Sequence, residues 1–179
     1  LCPHQDYVYF AFPTKEEQEQ LDAFSQQKNA LLQQLTSDPL FCQHLQTCQA
    51  LSGQISDDEL LNEPKYLSAT LIFLRSKGID FPKRFQDLLG AKKLPAFTLD
   101  WLEILLQGLL FQVPHWYNLP EEYEKQLLHE LKAASLIDRK QVKLVRNKKQ
   151  DLLLNQSLGK LNAVREIFKA EYQALGSQL

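Results

Sequence analysis

Six cations fall in the eleven residues from Arg139 to Lys149, RKQVKLVRNKK, and no acidic residue stands among them. Arg139, Lys140, Lys143, Arg146, Lys148 and Lys149 are interleaved with Val142, Leu144 and Val145. With no acid nearby to neutralise it, such a run suits contacts to phosphates or to the carboxylates of an acidic protein. A solvated charged face is the plainer expectation for the same residues. The run also dominates a charge asymmetry. Residues 1–120 carry 9 Lys and Arg against 14 Asp and Glu, a net of −5, and residues 121–179 carry 11 against 8, a net of +3.

Two further patterns could do chemistry. Cys2-x-His4 and His44-x3-Cys48 have metal-like spacings, since His and Cys four apart on one helix can share a zinc ion. Cys48, however, continues an apolar stripe where a buried thiol is expected, and Cys-x-His is not a usual zinc spacer, so no metal site and no cofactor are expected. No Gly-x-Ser-x-Gly elbow and no phosphate-binding glycine loop occurs. His115 and His129 have no partner at a fixed spacing, and Asp57, Asp58, Glu59, Glu121 and Glu122 read as acids in the first turns of helices. A non-enzyme is therefore expected. VPHWYNLP, residues 113–120, carries Trp116 and Tyr117 on a turn between prolines, as a hot spot for a partner or as a lid on the core beneath.

The elements that must position these residues are helical. DYVYFAFP alternates at period two up to Pro13 and predicts a short extended N-terminal segment. Thr14 and Glu17 form a capping box, and Leu21, Phe24, Leu31, Leu32 and Leu35 give the following helix one apolar stripe, interrupted by Lys28. Asp38-Pro39 starts a helix that Gly53 ends, Ser56 opens a short one, and Pro64 to Gly78 holds a third, its ATLIFL helical rather than strand-like by its flanks. Further helices are predicted from Pro82 to Gly90, from Pro120 through Ile137, and after Gly159.

The most apolar stretch, TLDWLEILLQGLLFQVP at 98–114, is too broken by Asp100, Glu103, Gln107 and Gln112 to span a bilayer, which takes about 20 predominantly apolar residues. With Asp100 at 0°, Glu103 falls at about 300°, Gln107 at about 340° and Gly108 at about 80° on a helical wheel. The apolar face thus covers well over half the circumference, and a helix of this kind needs neighbours on two or three sides. The expected fold is a predominantly α, single compact domain over 1–179, with seven or eight helices packed orthogonally around the helix 98–113; residues 121–179 could form a basic subdomain.

The basic run has two readings. It continues as helix from Asp138, or it forms a hairpin near 142–154 in which an NKKQ loop pairs Arg146 with Asp151. The hairpin form has the outline of a helix followed by the wing of a winged-helix module, although Pro114 to Pro120 interrupts the place of the preceding helices. Three cysteines cannot all pair with one another, and free thiols fit a reducing compartment, so a cytoplasmic setting is expected; a chain that starts at Leu1 without any Met is expected to be trimmed or processed. The function expected is a non-enzymatic protein–protein interaction module, an adaptor, chaperone or assembly subunit. The alternative is nucleic-acid binding through the run at 139–149.

Overall fold

The capping box at Thr14 forms as its spacing demands. The Thr14 N–H donates to Glu17 Oε2 at 2.7 Å and the Glu17 N–H donates to Thr14 Oγ1 at 3.3 Å, so two of the donors left open at a helix start are satisfied. Helix α1 (Lys15–Ser37) follows. The computed structural model describes residues 12–145 and 158–175. Packing divides the chain into two units, 27–148 and the chain ends 1–26 with 149–179. The division does not fall at residue 121, where the charge balance changes sign.

In unit 27–148, α2 (Pro39–Gln46) starts on Asp38, whose Oδ1 accepts from the Leu40 N–H at 2.9 Å. The single helix expected up to Gly53 is in fact two. The Thr47 hydroxyl donates to the Gln43 carbonyl at 2.9 Å, Cys48 turns extended, and α3 (Gln49–Ser52) ends at Gly53 with φ +83°. The Thr47 N–H donates to the Gln43 carbonyl too, at 3.0 Å, and a threonine hydroxyl added to such a bond weakens and bends a helix end. Ser56 caps α4 (Asp57–Asn62), its Oγ accepting from the Glu59 N–H at 3.3 Å.

α5 (Pro64–Ser76) is helical throughout, ATLIFL included, and Leu71, Ile72, Phe73 and Leu74 are all buried in succession. A helix buried on every side needs partners on every side. α5 packs on α2, α4 and, most extensively, on α7. Phe73 meets Phe41 and Phe97 edge to face, with ring centroids 5.3 and 5.5 Å away; such pairs add about 0.5–1.5 kcal/mol each beyond area burial. α6 (Lys83–Leu88) buries Phe85 and stops before Gly90, φ +63°.

The most apolar stretch of the chain is α7 (Leu99–Gln107) followed by a π turn (Gly108–Gln112). Leu102, Leu105, Leu106, Leu109 and Leu110 are buried. Thr98 holds the extended backbone of a cap, but its hydroxyl caps nothing. The widening at Gly108 has a local cause. Pro114 cannot donate to the carbonyl four residues back and disfavours helical geometry at Val113, which sits at φ −131°, ψ 48° and donates its N–H to the Gly108 carbonyl instead, at 2.9 Å.

α8 (Pro114–Tyr117) ends at Asn118, φ +47°, and packs on α3. α9 (Glu121–Ala133) buries Leu127 and Leu131. It closes with Ser135 at φ +56° and with the Leu136 N–H on the Leu131 carbonyl at 2.8 Å, a left-handed helix stop. β1 (Ile137–Asp138) and β2 (Gln141–Val142) then pair antiparallel, Ile137 with Val142 and Asp138 with Gln141.

This hairpin therefore turns on Arg139-Lys140. From Arg146 onward the pairing expected around an NKKQ loop lies outside the described residues, as do residues 1–11 of the expected extended segment.

In the other unit, α10 (Leu158–Leu175) forms where predicted, with Phe168 at 72% and Tyr172 at 79% exposure. Among the described residues no helix is long and apolar enough to cross a membrane.

Candidate functional site

On the polar arc of α7, Asp100 is exposed, but Glu103 and Gln107 are half-buried. Glu103 and Gln107, one turn apart, both reach the hairpin. Gln107 reads its edge as a neighbouring strand would: Oε1 accepts from the Val142 N–H at 2.8 Å and Nε2 donates to the Lys140 carbonyl at 3.1 Å. Glu103 Oε2 accepts two backbone N–H groups, Leu144 at 2.6 Å and Val145 at 3.0 Å. Hydrogen bonds to a charged acceptor contribute about 1.5–3 kcal/mol each, so this carboxylate is a principal clamp on the chain beyond β2. Val142 and Leu144 are buried beneath. Lys28, the interruption in the α1 stripe, is buried as well and donates from Nζ to the Leu144 carbonyl at 3.2 Å.

Held this way, the hairpin forms one wall of a groove of about 840 Å³. Arg139 and Lys140 stand exposed at its tip and Lys143 lies half-buried along it. The facing wall is the start of α5, where the Lys65 ammonium sits 4.8 Å from the centroid of the buried Tyr66 ring. Ile104 of α7 and Gln112 of the π turn complete the lining. Four cationic side chains thus face the Glu103 and Asp138 carboxylates; Glu103 is already committed to backbone donors, and Lys65 pairs with Glu63 Oε2 at 3.5 Å.

Arg139 has φ +58°. That region suits glycine or asparagine in a two-residue hairpin turn and costs another residue about 1–2 kcal/mol. A charged side chain occupies this position against a backbone preference.

Of the six cations singled out in the sequence, the structure brings Arg139, Lys140 and Lys143 to one groove; Arg146, Lys148 and Lys149 lie outside the described residues. Trp116 and Tyr117 are 1% and 3% exposed, so neither offers its ring to a partner in this conformation. Each has its polar end hydrogen-bonded instead. Trp116 Nε1 donates to Glu59 Oε1 at 3.0 Å. The Thr70 hydroxyl donates to the Tyr66 carbonyl, which leaves the Tyr117 hydroxyl as donor to Thr70 Oγ1 at 2.9 Å; burial pushes this phenol above its ordinary range.

Cys48 is buried at the α2–α3 junction and its thiol is pushed up to about 11 by burial. His44 packs its ring on Tyr123 at 4.9 Å. Among the described residues no group of three or more His, Cys, Asp and Glu converges as a metal set; Cys2 and His4 lie outside them.

Spacing alone missed Glu59 and His115, which are 56 residues apart and meet at 2.7 Å. The bonds from His115 and Trp116 hold the Glu59 carboxyl below its ordinary value of 4.5. A depressed folded-state value means the link contributes above the ordinary pKa and is lost as pH falls through the lower one. In an acid titration the indole N–H resonance of Trp116 is expected to move below pH 4.5. Glu59→Gln is expected to abolish that step, since an amide oxygen accepts the indole proton but does not titrate.

Glu103 and Gln107 did leave a sequence signal: two long polar side chains four apart on a helix otherwise apolar over most of its surface.

No protein-family model matches the chain, and neither does any curated protein or solved structure.

Proposed function

We propose that the chain is a non-enzymatic protein–protein interaction module, an adaptor or assembly subunit that docks its partner in the groove between the hairpin and the start of α5. The observation that carries this reading is the composition of that groove. Arg139, Lys140, Lys143 and Lys65 form a compact positive spot beside Ile104, with carboxylates and side-chain amides among them. A mixed lining of this kind suits the charged and polar rim of a protein interface, where complementary potentials set partner choice and on-rate.

Affinity capture tests it. The parent chain is expected to retain a partner identifiable by mass spectrometry that a Lys140→Glu, Lys143→Glu variant releases. Failure to retain any reproducible macromolecule would count against the proposal.

A second reading, nucleic-acid binding, is favoured by the acid-free run from Arg139 to Lys149. It predicts DNA or RNA affinity that falls steeply with salt and is lost on reversing Lys148 and Lys149 to Glu. A mobility assay at low salt that shows no shift would end it.

A further inference from the structure

We infer that the groove takes an acidic peptide in extended form, its carboxylates against Arg139, Lys140 and Lys65 and its main chain against the amides of Gln112 and Gln141. The inference rests on the interaction role proposed above and adds the chemistry of the partner.

Charge complementarity is the first argument. Lys65, Arg139 and Lys140 are exposed around the groove, while Glu103, one of its two carboxylates, is held by the Leu144 and Val145 N–H groups. Lys65 also pairs with Glu63 Oε2 at 3.5 Å, so four cations against the carboxylates of Glu103, Asp138 and Glu63 leave a net charge of +1, 4 − 3, most exposed at Arg139 and Lys140. Arginine pairs with a carboxylate through two parallel hydrogen bonds, which gives direction as well as attraction. The backbone at Arg139 agrees: an arginine occupies a left-handed position, φ +58°, that a turn chosen for stability alone would fill with glycine or asparagine.

The conformation of the ligand follows from the rest of the lining. Tyr66 and Val142 are almost wholly buried, which leaves the half-buried Ile104 as the main apolar contact. An amphipathic helix needs a longer apolar strip, with anchors at i, i+3, i+4 and i+7. The exposed amides of Gln112 and Gln141 can instead donate to and accept from a peptide main chain, and only an extended segment presents those groups, because a helix bonds them internally. Single-stranded nucleic acid fits less well. Tyr66, the aromatic ring of the lining, is too buried to stack a base.

The test is to pan a phage-displayed library of random dodecapeptides on the full chain, then on the Arg139→Gly and Lys140→Glu variants. Arg139→Gly relieves the left-handed backbone, and Lys140→Glu leaves the carbonyl that Gln107 holds, so both variants are expected to fold; far-UV circular dichroism checks this. The selected peptides are expected to be enriched in Asp and Glu over the library. Either variant is expected to weaken them by about tenfold or more, as loss of a positioned charge at an interface does.

Enriched peptides without an acidic excess would overturn the inference and leave the interaction role standing. Acidic peptides held equally by the variants would place their site elsewhere and overturn it too. If no peptide is retained, the inference falls; if a single-stranded oligodeoxynucleotide binds in its place, the interaction role falls with it.

Discussion

Leu105→Ala is expected to lower the stability of unit 27–148 by about 3 kcal/mol, within the roughly 2–5 kcal/mol typical of truncating a fully buried leucine. Leu105 has 0% exposure. It lies on α7, which packs on α5, itself buried on nearly every side. Two rigid helices flank the deletion, so little can relax into the space, and the cavity contribution adds to the lost transfer free energy. Thermal unfolding followed by circular dichroism is expected to show a midpoint lower by roughly 6–12 °C for a domain of this size. A change under about 1 kcal/mol would mean that the site collapses freely, as it does where packing is loose.

Gly108→Ala is expected to destabilise by about 2 kcal/mol, and here two effects of opposite sign compete. Alanine in a helix interior is favoured over glycine by up to about 1 kcal/mol. A Cβ at this position, however, would lie 2.6 Å from Tyr66 Cδ1 and 2.9 Å from Cγ. Those atoms are at the root of the ring, which cannot swing aside as the end of a flexible chain could, and Tyr66 is 4% exposed. Overpacking of this kind costs about 1–3 kcal/mol and sometimes more, so the clash wins. Displacing Tyr66 also displaces the groove wall it shares with Lys65. Denaturant unfolding of Gly108→Ala is expected to show a lower midpoint with an unchanged slope; an equal or higher midpoint would show that α5 gives way at no cost.

How much of this was legible in the sequence depended on the distance between partners. The Thr14–Glu17 box, the Asp38 and Ser56 caps and the stops at Gly53, Gly78 and Gly90 were readable because each interaction spans only a few residues. The apolar arc of α7 was readable because burial repeats with the helical period. The break between α2 and α3 was not, since the backbone turns extended at Cys48, inside an apolar stripe that keeps the helical period. Nor was the π turn, because Pro114 marks the end of the helix without showing that the Val113 N–H reaches back to the Gly108 carbonyl.

For the candidate site, the sequence marked the charge of Arg139, Lys140 and Lys143 but not their surroundings. Lys65 and Tyr66 reach the same groove from far along the chain, and the clamp from Glu103 to Leu144 closes over 41 residues. In the sequence Glu103 and Gln107 looked like the wet side of a helix. In the structure they are what holds the hairpin.

α7 works on both faces: its leucines close the core, and Glu103 and Gln107 fix the basic hairpin. Backbone amide hydrogen exchange, read residue by residue by NMR, tests both at once. The Leu105, Leu106 and Leu109 amides are expected to exchange only through global unfolding, and those of Val142 and Leu144 to be protected well above exposed loop residues. Replacing Glu103 by Gln should selectively speed exchange at Leu144 and Val145. Rapid exchange along Leu105–Leu109, or unprotected amides at Val142 and Leu144 in the parent chain, would contradict the account.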